Sequence, residues 1–99
     1  MLQQAFRPRR GSNQVATPGA ASAALTISAL DDQCRVVNAG ANVVHVVTYR
    51  QADGAVAATT AEYAVAAGMA SIITKGEHDR IAHISALGTT IHVSTGNGF

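Results

Sequence analysis

The pattern of apolar and polar positions gives its clearest hairpin signal between Cys34 and Arg50, which reads CRVVNAGANVVHVVTYR. Two runs rich in Val, Thr and Tyr flank the segment Asn38-Ala39-Gly40-Ala41-Asn42. Such side chains suit a pleated strand, and Asn and Gly tolerate the positive φ of a tight reversal, so the stretch predicts a hairpin. Its second arm is apolar on both faces, with Val44, Val46 and Thr48 on one and Val43, His45, Val47 and Tyr49 on the other. A strand of that kind has to be covered on both sides. It predicts an interior strand, or one packed against a second subunit.

Shorter alternations fill the rest of the chain. Leu25 and Ile27 share one side of a strand over 24–28, and Gln33–Asn38 forms the first hairpin arm. Asp53-Gly54 marks a turn, and residues 55–60 read as a loop or a short edge strand. Further strands are predicted at 62–65, at 69–75 around Ile72 and Ile73, and at 80–87. The last one, 89–95, points Ile91 and Val93 inward and Thr90, His92 and Ser94 outward. Ala-rich 55–70 favours helix on propensity, but Thr59, Thr60, Tyr63, Val65 and Gly68 oppose it. Short strands with turns every 8–12 residues or so describe an all-β domain, a small antiparallel β-sandwich or jelly-roll-like fold over 22–99. No stretch between strands is long enough for the crossover helix of a parallel sheet.

Residues 1–21 read as an extended N-terminal arm, broken by Pro8, Gly11, Pro18 and Gly19. Arg7, Arg9 and Arg10 concentrate positive charge there, and Phe6 supplies a large apolar side chain. The arm is either a free tail or a segment that docks on a neighbour, with Phe6 as anchor and the arginines on acidic groups. Phe99 is a second aromatic available to a partner or to the domain itself.

Composition bears on how the core is closed. Hydrophobic residues make up 47% of the chain, but aromatics only 4%, with no Trp. Val, Ile and Leu must therefore supply most of the burial, at roughly 1.5–3 kcal/mol each. A core so built gains from a partner. Charged residues are 13% and the net charge is +1, which gives no field to draw nucleic acid or a membrane surface. The one cysteine, Cys34, excludes an intrachain disulfide framework. No apolar run is long enough to span a bilayer, and the first residues lack the apolar core of a secretory signal. The expectation is synthesis in the cytoplasm, with neither membrane anchoring nor export by that route.

Candidate chemistry is sparse. His45, His83 and His92 fall in predicted strands and His78 in a turn, without the local spacing of a zinc site. His83 and His92 would become cross-strand neighbours only if their strands paired around Gly88. Cys34 beside Val36 reads as a buried, inert thiol. No Ser sits in a GxSxG elbow, and Asp31, Asp32, Asp53, Glu62, Glu77 and Asp79 all lie in or near turns. Neither catalysis nor a metal nor any cofactor is expected. Nucleic-acid binding would rest on Arg7, Arg9 and Arg10 alone and is not expected either.

The segments CRVVNAG (34–40), SIITKG (71–76), IAHISA (81–86) and TTIHVSTGNGF (89–99) together resemble small tailed-bacteriophage virion proteins. The resemblance implies a β-sandwich structural protein that coats or cements a capsid, or one that belongs to a neck, tail or fibre base. It transfers no functional residue. The leading expectation is a capsid decoration protein, a homotrimer on the virion surface, that binds the assembled major capsid protein through Phe6, Arg7, Arg9, Arg10 and Phe99. Deleting residues 1–12 is then expected to leave the domain folded and release it from the particle. A carbohydrate-binding sandwich is the third reading, weakened by the absence of Trp.

Overall fold

The computed structural model describes residues 6–97. Among them nine strands form two antiparallel sheets: β1 (Arg7–Pro8), β2 (Gln14–Ala16), β3 (Ala23–Thr26), β4 (Gln33–Asn38), β5 (Val44–Tyr49), β6 (Tyr63–Val65), β7 (Ala70–Thr74), β8 (Arg80–Ile84) and β9 (Ile91–Asn97). One sheet runs β1-β9-β4-β7, with β2 also on β9, and the other runs β3-β8-β5-β6. From β2 onward the chain alternates between the sheets, staying in one only from β5 to β6. That is the winding of an eight-stranded jelly roll, with β1 added at one edge. The expected all-β, antiparallel sandwich is the observed fold.

The inward faces follow the alternation in the sequence. Cys34, Val36, Ile91 and Val93 of one sheet meet Ile27, Val44, Val46, Val65 and Ile81 of the other in one core, with Leu25 and Ile73 at its margin. β5 is an interior strand, flanked by β8 and β6. Its second apolar face is covered too: Tyr49 packs with Ala58 and Ala82, beside Val47 and Ile84. The cover is the long connection that follows β5, with a 3-10 turn at Gln51–Asp53, which brings Ala58 back over the sheet. A loop of this chain does what the sequence left open between a second layer and a second subunit.

The predicted hairpin is not one. β4 and β5 lie in different sheets, and β4 pairs with β7 and β9 while β5 pairs with β6 and β8. Residues 39–43 cross the end of the sandwich, and no non-glycine residue described has a positive φ. Asn38 holds this corner. It is fully buried, its Nδ2 donates to Asn42 O (2.8 Å) and Val65 O (2.9 Å), and its Oδ1 accepts from Gly40 N (3.2 Å) and Thr89 Oγ1 (2.7 Å). Gly40 is needed for space and not for φ. A methyl there would strike Thr89 Oγ1 and stand 2.7 Å from Thr90 N. For the same topological reason β8 and β9 are not a hairpin, so His83 and His92 are in separate sheets.

The expectation of a separable arm over 1–21 meets a different arrangement. β1 and β2 both pair with β9, in the registers Pro8↔Gly96 and Val15↔His92. Arg9 N–H donates to Thr95 O (2.7 Å), and the Ser12 hydroxyl exchanges hydrogen bonds with the Thr95 backbone. Residues 18 and 19 accept from Thr89 N and Ser85 N. The segment was unreadable as strand because Pro8, Gly11 and Pro18 interrupt its alternation; β9 supplies the ladder that local sequence lacks. Deleting residues 1–12 would therefore remove β1 from the edge of the sheet.

Candidate interaction surface

The residues expected to bind a partner have unlike surroundings. Phe6 is 5% exposed and lines, with Pro8, Arg35, Ile72 and Ser94, a shallow groove of about 410 Å3 on the outer face of the β1-β9-β4-β7 sheet. Its ring is thus covered by its own chain. Arg9 is committed as well: Nε and Nη2 grip both carboxylate oxygens of Asp31 at 2.7 and 2.9 Å. That bidentate contact, aided against burial, holds the Asp31 carboxyl below its usual range. Arg7 lies in β1, and Arg7 and Arg10 are both exposed. Phe99 lies outside the described residues.

Lys75 carries no sequence signal for the role it has, although four backbone carbonyls surround its ammonium. The residue is 4% exposed. Its Nζ donates to the carbonyls of Ser28 (2.6 Å), Asp31 (2.6 Å), His78 (2.9 Å) and Gly76 (3.2 Å). Two turns at one end of the sandwich are tied through this ammonium. Burial lowers its pKa from the usual lysine value, while neighbouring negative charges, those of Asp31, Asp32 and Asp79 included, oppose the shift. A lysine after a strand ordinarily reads as a solvated surface residue, so no local signal marks it.

Cys34 is completely buried, and burial pushes its thiol pKa up to about 11. The expected outcome of thiol titration at pH 7–8 is no reaction with a disulfide reagent in the folded protein and one equivalent after denaturation.

The histidines do not converge. His78 Nδ1 shares a hydrogen bond of 2.8 Å with the Thr48 hydroxyl, and Asn13 reaches His92 Nδ1 at 3.5 Å. His83 is 4% exposed on the inner face, its Nδ1 without a hydrogen-bond partner. No group of three or more His, Cys, Asp or Glu is placed to hold a metal ion among the described residues. Burial lowers the His83 pKa. Between the depressed folded value and the unfolded value near 6.5, the unfolded chain binds the extra proton, so stability falls as pH drops below about 6.5. Thermal unfolding at pH 7 and pH 5 should show that loss, and His83→Leu should reduce it. The acid loss from Asp31 and Asp79, whose pKa values are also lowered, comes only below about pH 4.

What the surface does offer is exposed apolar area. Leu30 and Leu87, 85% and 83% exposed, tip the turns before β4 and after β8, at opposite ends of the sandwich. Val15 and Ile72 are exposed on the outer face of one sheet, and Tyr63 and Met69 flank its β7 edge. Tyr49 is buried, which leaves Tyr63 alone as an exposed tyrosine and makes a poor sugar platform. Among the described residues no helix is long and apolar enough to cross a membrane.

The strand order defines the class: a small jelly-roll β-sandwich. No protein-family model matches the chain, and no curated protein does. Among solved structures it is similar to a chain from a study entitled "Bacillus endospore appendages form a novel family of disulfide-linked pili". The similarity covers 87% of this chain and 84% of that one, at 18% identity and a TM-score of 0.53. At that identity the likeness is one of fold.

Proposed function

We propose that this protein is a non-catalytic building block of a multi-subunit particle, and specifically a bacteriophage capsid decoration protein that binds the assembled major capsid protein. The observation that carries this reading is the surface itself. Leu30, Leu87, Val15, Val43, Val56, Ile72, Met69 and Tyr63 are all exposed on a chain of only 13% charged residues. Apolar side chains at both ends and on one outer sheet face of a domain this low in charge are area that an assembly can cover. The N-terminal arginines Arg7 and Arg10 add a positive edge for acidic groups on the shell. Bound across subunit boundaries, the sandwich would add buried area that must be re-exposed when capsomers separate.

Sedimentation with assembled capsid shells tests this. The protein should pellet with shells, and Arg10→Glu should weaken binding at unchanged thermal midpoint. Reconstruction of the particle should then place copies over the whole shell. A single ring at one vertex would instead support the second reading, a neck, tail or fibre-base component, which the fold likeness to a pilus protein favours. In either assembly Cys34 is no cross-linking site, since its thiol is buried.

A further inference from the structure

Among the described residues the two sheets have four edges, and three are guarded or short. The β1–β2 edge is interrupted by Pro8, Arg9, Arg10 and a left-handed Gly11 (φ 75°). β6 has only three residues and follows Glu62, and β3 has four with Gln14 Nε2 bonded to Thr26 O across its end. β7 differs. Its five residues, Ala70-Ser71-Ile72-Ile73-Thr74, contain no charge and no proline. Lysine at such an edge normally blocks association, but the lysine that follows, Lys75, turns its ammonium into the protein. Among the described residues no strand pairs with the second side of β7.

The direction of the unused backbone groups follows from the ladder. Asn38 N–H donates to Met69 O, and Lys75 N–H donates to Asp32 O. Antiparallel alternation between those two bonds aims the N–H and C=O of Ser71 and Ile73 at β4, and those of Ala70, Ile72 and Thr74 outward. A second strand is the group that matches such a row. We infer that its occupant is β7 of a second copy, joined antiparallel about a two-fold axis at Ile72. In that register Ile72 faces Ile72 of the other copy and Ala70 faces Thr74, so every outward group meets an outward group. About six hydrogen bonds result, two for each facing pair. No like charges oppose each other, and the small Ala70 and Thr74 leave room for the paired isoleucines. The exposed Met69 and Tyr63 (58% and 57%) flank the strand and extend the contact. The pairing is a property of the isolated chain, so it can fail while shell binding holds, and the reverse.

Two measurements test it. Facing residues of a hydrogen-bonded antiparallel pair lie about 5.5 Å apart at Cα, within disulfide range. Ile72→Cys should therefore cross-link under mild oxidation at least about tenfold faster than the remote, exposed Leu30→Cys. In sedimentation equilibrium the natural chain should show a monomer–dimer equilibrium. Ile72→Pro removes an outward N–H that β4 does not use, so it should weaken dimerisation at least about tenfold with little change in thermal midpoint. A strictly monomeric protein at millimolar concentration, a trimer or open polymer, dimers insensitive to Ile72→Pro, or equal cross-linking of the two cysteine variants would each overturn the inference.

Discussion

Replacing Lys75 with Met should destabilise the protein by about 3 kcal/mol, the net of two opposed terms. The ammonium gives three protons to four carbonyls, those of Ser28, Asp31 and His78 at 2.6–2.9 Å and that of Gly76 at 3.2 Å. Each hydrogen bond to a charged group contributes about 1.5–3 kcal/mol, and desolvating the ammonium removes several kcal/mol of that sum. Methionine ends the desolvation cost but leaves the carbonyls unpartnered. In a domain of this size the loss corresponds to a fall of roughly 12–24 °C in thermal midpoint. Lys75→Arg should not restore it, because a planar guanidinium cannot take the place of a compact ammonium. Urea unfolding of the two variants measures both effects. A loss of less than 1 kcal/mol for Lys75→Met would show the carbonyl cage to be dispensable.

The second large effect is at Asn38, whose amide makes four hydrogen bonds while fully buried. Asn38→Asp keeps the shape and replaces a donor facing Asn42 O and Val65 O with a buried acceptor. The cost at neutral pH should be about 4 kcal/mol. A buried carboxyl in that place has its folded pKa raised, so the stability of the variant is greatest below the unfolded value near 3.9 and is lost as pH rises. Relative to the parent, the variant should therefore recover stability on acidification, against the trend set by His83. Asn38→Ala, which introduces no charge, should show no such recovery.

Much of the fold was legible in the alternation. Gln33–Asn38 matches its strand to the residue, and Ile91 and Val93 face inward as the pattern predicts. What the alternation cannot carry is partner choice. The same two-faced β5 fits a hairpin with β4 or a crossover to another sheet, and only long-range pairing separates them. The candidate surface was less legible still. Phe6 and Arg9 look like free anchors in sequence, yet one is covered and the other is held by Asp31, twenty-two residues away.

By itself, then, the sequence determined the all-β class, the inward-facing set of the last strand, and the need to cover both faces of Val43–Tyr49, because side chains alternate between faces with a period of two within any strand. Tertiary structure alone decided that Asn38–Asn42 crosses between sheets, that the loop carrying Ala58 supplies the second cover, and that Arg7–Pro8 and Gln14–Ala16 pair with β9. It also decided that Lys75 turns inward and leaves β7 unguarded. These are outcomes of backbone and carbonyl groups meeting across long separations, and no side-chain pattern within one segment encodes them.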